Sequence, residues 1–205
     1  MSSSWSYLDP VVLPLIVGES VLDVGCGLGR WGFLIETNYW EAKLARPPAV
    51  DGVDGFAPNV ERCRMLPCYR KVWEQLLPGP LDGRWDTVLA VEIVEHLAPG
   101  DVVPFLETIE AAATKRVIVS TPNAHYLREA HDTLVGFNPL EAHLSEVPRS
   151  LLAGRGYTVR GAGFGRYDSR LARTAKRLRV RASLASATRH LPRIAETIVA
   201  VKDVG

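Results

Sequence analysis

The sequence predicts an α/β protein: a doubly wound, mostly parallel sheet with helices on both faces. Three observations carry this. Short apolar runs at residues 21–24, 88–91 and 117–119 alternate along the chain with segments whose apolar residues recur at helical spacing, the mark of strand–helix–strand crossovers. The run at 88–91 is continuously apolar, as in a central parallel strand covered on both faces. The run at 21–24 passes at once through Gly25, Gly27 and Gly29 into an apolar helical stretch beginning at Trp31. Such a unit cradles nucleotides, because glycine permits a sharp turn and close ligand approach, and the helix behind it offers free N–H groups.

Each element follows in order. Trp5, Leu8, Val11, Val12, Leu15 and Ile16 recur at helical spacing, while Pro10 and Pro14 predict a broken helix or two short turns. The helix from Trp31 extends to Ala45 and stops at Pro47-Pro48. Residues 49–55 read as strand two, 59–66 as a helix and 69–73 as a short third strand. Residues 85–91 form the fourth strand, which breaks into Glu92, Glu95 and His96. Val102, Phe105, Leu106, Ile109 and Ala113 give the next helix one apolar face. Residues 116–123 are strand five. A long connection follows, holding His125, Tyr126 and His143, and connections of that length commonly carry function. Residues 151–156 close a helix, and 157–163 and 197–202 are the last two strands.

The 205 residues, 47% hydrophobic and 23% charged, suit one domain with a sizeable core. Its expected parts are an N-terminal cap segment at 1–19, a ligand-binding core at 20–165, a basic helical insertion at 166–196 and a last strand at 197–205. The net charge of +1 names no partner. The distribution is uneven: residues 160–193 hold ten Lys or Arg and one acid, Asp168, leaving 14 basic and 22 acidic residues elsewhere. Leu171, Ala175, Leu178 and Ala182 share a helical face there, with Arg173, Lys176, Arg177, Arg179 and Arg181 around it. An anionic small molecule, RNA or an anionic membrane surface would each fit this segment. Three sparse cysteines, Cys26, Cys63 and Cys68, read as free thiols of a reducing cytoplasm. The first residues lack the basic start of a signal peptide, and no apolar run has membrane-span length. Nothing in the sequence sets an oligomeric state.

The glycine turn admits two nucleotide readings. Gly27, Gly29 and Gly32 match the dinucleotide pattern G-x-G-x-x-G. Asp23, however, lies inside the strand end, where a carboxylate repels a pyrophosphate and suits a ligand with an amino group. The string Asp23-Val-Gly25-Cys-Gly27-Leu-Gly29 resembles the first motif, (D/E)-x-G-x-G-x-G, of the class I S-adenosylmethionine-dependent methyltransferases. That resemblance implies a Rossmann-like sheet of seven strands with an antiparallel C-terminal edge hairpin. It also implies S-adenosylmethionine as cofactor, held by Asp23, Gly25, Cys26, Gly27 and Gly29. An acid at the exit of strand two accepts ribose hydroxyls; Asp54, followed by Gly55, is chosen over Asp51. Glu74 and Gln75 are the candidates beside the adenine, and Glu92 joins the cofactor set.

Glu92, Glu95 and His96 stand beyond the carboxyl end of strand four, where ligands bind in open α/β sheets. The string resembles the E-x-x-E-H-L segment of many small class I methyltransferases. Methyl transfer from a sulfonium needs mainly proximity and orientation, and a hydroxyl acceptor also needs a base. His96 is the best-placed candidate, His143 the second, with Glu95 beside them. The same residues, with Thr121-Pro122-Asn123, resemble the metal set of small-RNA 3′-terminal 2′-O-methyltransferases, without the histidine-rich F-E-W motif of those enzymes. Since E-x-x-E-H-L also occurs in metal-free relatives, no metal is assigned. Three functions stay open. Methyl transfer to an O or N atom of a small, anionic acceptor is favoured. RNA 2′-O-methylation through the basic segment, metal-assisted by Glu92, Glu95, His96 and His143, is the alternative. A non-catalytic module that kept the cofactor fold is the third.

Overall fold

The structure is a computed structural model that describes residues 4–41, 46–123, 127–163, 189–190 and 192–205. Its N-terminal segment is broken, as the two prolines require: a 3-10 turn at Ser6–Leu8, the helix α1 (Asp9–Val12) and a 3-10 turn at Leu13–Leu15. The strand β1 (Ser20–Val24) leads through the glycine turn into α2 (Arg30–Glu41); the expected extension of this helix to Ala45 falls on residues outside the described set. Then come β2 (Ala49–Asp54), α3 (Ala57–Arg64), β3 (Lys71–Glu74) and β4 (Trp85–Val91). The second half holds α4 (Val102–Ala112), β5 (Ala113–Pro122), the small strands β6 (His131–Thr133) and β7 (Gly136–Asn138), α5 (Arg149–Gly154), β8 (Thr158–Ala162) and β9 (Thr197–Asp203).

Seven strands form one sheet in the order β3-β2-β1-β4-β5-β9-β8. The first five run parallel, and β9 is antiparallel to both β5 and β8. Side chains alternate across a strand, and here both faces are buried. Leu22, Val24, Val88, Ala90, Val117 and Val119 meet Phe105, Leu106 and Ile109 of α4 on one face. Val21, Leu89, Val91 and Ile118 meet Trp31 and Ile35 of α2, with Leu8 and Val12, on the other. That is why the central strand reads as a continuous apolar run. The order reverses beside β1, so β1 and β4 diverge into helices on opposite faces and leave a crevice beyond their carboxyl ends.

Two departures from the sequence reading stand out. Residues 131–138, read as part of an open connection, form a separate two-stranded antiparallel sheet, β6 with β7. The helix expected to close over 151–156 spans Arg149–Gly154, after Pro148, and so ends two residues early. The expected basic helical cover, with Arg173, Arg177 and Arg181, lies outside the described residues. Of that segment the structure describes Arg189, His190 and a 3-10 turn at Pro192–Ile194, whose Pro192 carbonyl accepts from the Asn123 side chain at 2.7 Å.

Candidate active site

The glycine turn takes its shape from three residues in the left-handed region: Gly25, Gly27 and Gly29, with φ of 68°, 54° and 83°. A side chain at such angles is strained. The turn is tied to the exit of β2. The N–H groups of Gly25 and Cys26 donate to the Val53 carbonyl at 2.7 and 3.1 Å, and the Gly27 N–H donates to Asp54 Oδ2 at 2.8 Å. Asp54 Oδ1 accepts from the Phe56 N–H at 2.9 Å, and the Asn59 amide donates to both oxygens. Asp54 therefore joins the glycine turn, β2 and α3 while it lines the cavity beyond them. Asp51 is engaged elsewhere, bonded to Arg70 and to the indole N–H of Trp85.

Asp23 sits under the turn, not in the cavity wall. It is 1% exposed, and the Tyr69 hydroxyl donates to it at 2.5 Å. Tyr69 also accepts from the Gly32 N–H at 3.0 Å, and a Cβ on Gly32 would stand 2.4 Å from its ring. The third glycine of the G-x-G-x-x-G match thus serves helix packing. Burial pushes the Asp23 carboxyl up to about 7, against the Tyr69 hydrogen bond. Cys26 is likewise buried under the turn, its thiol raised by a hydrogen bond with Cys63 and by burial. The structure thus sets Asp23 and Cys26 behind the turn, as its support.

A cavity of about 290 Å³ opens beyond the strand ends, lined by Gly25, Asp54, Gly55, Gln75, His96 and an apolar wall that includes Leu76, Ile93, Leu97, Leu140 and Leu144. Gln75 faces it with its amide already engaged, accepting from the Trp73 indole at 2.9 Å and donating to the Pro80 carbonyl at 2.8 Å. Glu74 is exposed and outside the lining. Leu76 and Leu140 approach each other above Gly55, where a Cβ would meet them at 2.7 and 3.0 Å. No sequence signal singled out these leucines. Leu140 reaches the cavity only because β6 and β7 fold back and the Asn138 side chain caps the turn that follows, accepting from the Leu140 N–H at 3.0 Å.

At the end of β4 the chain is strained. Glu92 has φ of 57°, unusual for a residue with a side chain, and such strain clusters at functional sites. Its N–H donates to the Ser120 carbonyl at 3.0 Å, and the Ser120 hydroxyl donates to its carboxylate at 2.8 Å. Burial raises its carboxyl to about 7. The following 3-10 turn, Val94–His96, brings Glu95 and His96 together. Burial, then the neighbouring Glu92, pushes Glu95 well above the usual carboxylate range. Among the described residues, neither Glu95 oxygen has a hydrogen-bond partner, and neither does His96 Nε2. His96 Nδ1 faces the Ala142 carbonyl at 3.0 Å, which assigns the proton to Nδ1 and leaves the Nε2 lone pair open. The His143 ring meets His96 edge-on with centroids 4.7 Å apart. Burial above all, with His143 as a lesser contributor, lowers the His96 pKa to about 3.

The structure therefore brings Glu95, His96 and His143 into one cluster, with one ligand atom of each within 4.8 Å of the others. The buried Glu95 oxygens and His96 Nε2, without hydrogen-bond partners among the described residues, are costly unless something satisfies them, and two imidazoles with a carboxylate suit a divalent transition metal. The donor set fits such an ion more closely than the sequence suggested. Of the four residues in the metal alternative, Glu92 stands apart, engaged with Ser120. Only His96 of the three catalytic candidates lines the cavity; Glu95 and His143 lie behind it.

No protein-family model and no curated protein matches the chain. Its fold, however, superposes on solved methyltransferases. A SAM-dependent methyltransferase from Archaeoglobus fulgidus gives a TM-score of 0.58 at 19% identity, over 96% of this chain and 91% of that one. The methyltransferase domain of bacterial CtHen1 gives 0.55 at 20% identity, over 95% and 94%. Magnesium protoporphyrin IX methyltransferase from Synechocystis, with bound SAM, gives 0.54 at 17% identity, over 95% and 77%. The chain thus has the Rossmann-like fold of the class I S-adenosylmethionine-dependent methyltransferases. Of these neighbours, the Synechocystis enzyme is named for a small-molecule acceptor, magnesium protoporphyrin IX.

Proposed function

We propose that this protein is an S-adenosylmethionine-dependent methyltransferase that transfers the methyl group to a hydroxyl oxygen of a small acceptor seated against His96. One observation carries the reading: Gly25, Asp54 and Gln75, the positions expected to hold the cofactor, share a single cavity with His96, whose Nε2 has no partner among the described residues. In this reading the glycine turn takes the amino-acid end of the cofactor, Asp54 the ribose and the Gln75–Leu76 stretch the base. His96 Nε2 accepts a hydrogen bond from the acceptor hydroxyl and orients an oxygen lone pair toward the methyl group; as the C–O bond forms and the S–CH3 bond breaks with its electron pair going to sulfur, the hydroxyl proton, now strongly acidic, passes to His96 Nε2 or to water. With a pKa near 3, His96 is a weak proton acceptor at neutral pH, so orientation dominates its contribution. An anionic acceptor finds no Lys or Arg in the described lining, which favours a neutral reacting end.

A second reading is favoured by the Glu95–His96–His143 cluster. These residues would hold a divalent ion, which supplies Lewis-acid polarisation of an acceptor hydroxyl. Methyl transfer to a terminal RNA ribose is the form of this reading that follows from the resemblance of Glu92–His96 and Thr121-Pro122-Asn123 to the small-RNA 2′-O-methyltransferases. The test is direct: calorimetry with S-adenosylhomocysteine, then transfer of a labelled methyl group to a panel of hydroxyl compounds and short RNAs, with chelator and with added manganese or magnesium. Binding of S-adenosylhomocysteine with metal-independent transfer to a small hydroxyl supports the first reading. Transfer to RNA ends lost on chelation supports the second. Tight NAD binding without S-adenosylhomocysteine binding overturns both.

A further inference from the structure

The string Thr121-Pro122-Asn123 closes β5 but lines no part of the cavity. Asn123 has another task. Its backbone N–H donates to the Glu196 carbonyl at 2.9 Å, and its side-chain amide donates to the carbonyls of Pro192 and Ala195 at 2.7 and 2.9 Å. These three bonds hold the 3-10 turn Pro192–Ile194, which carries Arg193, against the end of β5. Opposite, Pro148 precedes α5 and sets Arg149 at its first position. Arg149 and Arg193 line one groove of about 260 Å³ with Pro122, Asn123, Glu146 and Ser150. Glu146 is the one acid of this lining and is itself engaged. Among the described residues neither arginine has an ion-pair partner, whereas Arg128 and Arg155 are matched with Glu141 and Glu110. Two guanidiniums held by the fold in one groove suit a carboxylate or a phosphate group.

The groove adjoins the cavity. Burial alternates along the chain there: His143, Ser145 and Val147 are buried, while Leu144, Glu146 and Pro148 are exposed. That is the pattern of an extended segment, with successive side chains on opposite sides. Leu144 lines the cavity and Glu146 lines the groove. Two residues of extended chain, about 7 Å, therefore separate the cavity wall from the groove along one exposed strip. The strip is anchored beside His96, because the N–H groups of Leu144 and Ser145 both donate to the Glu95 carbonyl, at 2.8 and 3.0 Å. A molecule whose hydroxyl meets His96 and whose body lies on Leu144 reaches the groove with its far end. The cavity lining holds no Lys or Arg among the described residues, so the arginines of the groove supply the charge that the cavity lacks.

We propose that the groove at Arg149 and Arg193 is a specificity subsite that holds a carboxylate or phosphate group at the far end of a small acceptor. The word acceptor rests on the methyl-transfer reading; the binding of the anion does not. The test is calorimetry on the full chain, with and without S-adenosylhomocysteine, using three probes of one skeleton. These are 3-(4-hydroxyphenyl)propanoate, 2-(4-hydroxyphenyl)ethyl phosphate and the neutral 3-(4-hydroxyphenyl)propanamide. At least one anionic probe should bind about tenfold or more tightly than the amide, the effect of a charged hydrogen bond, and the tighter of the two identifies the group. Arg149→Gln with Arg193→Gln should remove that preference. Amide binding, melting temperature and S-adenosylhomocysteine affinity should not change, since neither arginine lines the cavity. Arg193→Gln alone, at an exposed side chain, should lose part of the preference and guards against misfolding of the double variant. Equal binding of acid and amide, no binding of either anion, or a preference kept in both variants overturns the proposal. Oligouridine that binds where neither anionic probe does, and is released in the double variant, overturns it in favour of a nucleic-acid phosphate. If the preference follows the arginines but S-adenosylhomocysteine does not bind, the methyl-transfer reading fails and the anion site stands. If S-adenosylhomocysteine binds and no preference exists, the reverse holds.

Discussion

His96 stays neutral through the physiological range, because burial outweighs every influence that would charge it. Replacing it with Ala should lower turnover by roughly 10- to 100-fold, the low end of the range for proton-handling groups, with cofactor affinity unchanged; a steady-state comparison with calorimetry checks both. Glu95→Gln separates the two functional readings. It keeps the size of the side chain, so it should spare metal-free transfer but abolish any stimulation by manganese. A stimulated Gln variant would remove Glu95 from the ligand set. Asp54→Asn should weaken S-adenosylhomocysteine binding by about 1.5–3 kcal/mol, the cost of losing charged acceptors for ribose hydroxyls. The amide keeps an oxygen for the Phe56 N–H, so the circular dichroism spectrum should not change; equal affinity in the variant would place the ribose elsewhere. Asp23 gives a pH signature. Its carboxyl ionises near 7 in the fold against an ordinary 3.8, so the folded state keeps a proton that the unfolded chain has already released. Its stabilising share is full below pH 4 and lost as pH rises to 7, up to roughly 4 kcal/mol. Asp23→Asn still accepts from Tyr69 but cannot ionise, and its denaturation midpoint should differ less between pH 5 and pH 8. An unchanged pH slope would assign the effect to another group.

At the scale of elements, local chemistry was legible and long-range closure was not. The strand–turn–helix unit at Gly25–Gly29 declared itself because three left-handed positions need glycine, and the polar break at Glu92 because a buried strand must end where side chains meet the site. The exit of β2 was readable for the same reason, so Asp54 was separable from Asp51. Glu74 and Gln75 were not separable: they are adjacent, and only the turn of the chain after β3 puts Gln75 on the cavity and Glu74 in solvent. The Leu76–Leu140 approach joins residues 64 positions apart, and no periodicity encodes such a meeting. The β6–β7 hairpin escaped notice because its strands are three residues each, too short to establish an alternation. Asp23 was legible as an acid in the right place, but its partner Tyr69 lies 46 residues away, and that contact decides that it supports the turn from behind.

For the whole molecule, cofactor binding should appear as stability. A ligand that binds only the folded state at about 100 times its dissociation constant adds about 2.7 kcal/mol. For a chain of this size that corresponds to a rise of about 5–10 °C in melting temperature. A scan with S-adenosylhomocysteine, with NAD as the control, checks it; a shift with NAD alone would contradict the nucleotide assignment. The far edge of the sheet should not respond first. There Glu110 of α4 accepts hydrogen bonds from Arg155, Tyr157 and Lys202, tying α4, the end of α5 and β9 together away from the cavity.

The burial of Cys26 inside the glycine turn, against Cys63, makes the turn its own reporter. Thiolates react and thiols do not, and Cys26 is both enclosed and raised in pKa. A disulfide reagent should therefore modify the half-buried Cys68 first, and reach Cys26 only when the turn opens. Its rate of labelling then measures how often that opening occurs, as exchange of a protected amide would. Occupancy of the cavity should slow that one rate and leave Cys68 unaffected, so a stopwatch and a colorimetric thiol assay can follow a ligand that has no colour of its own.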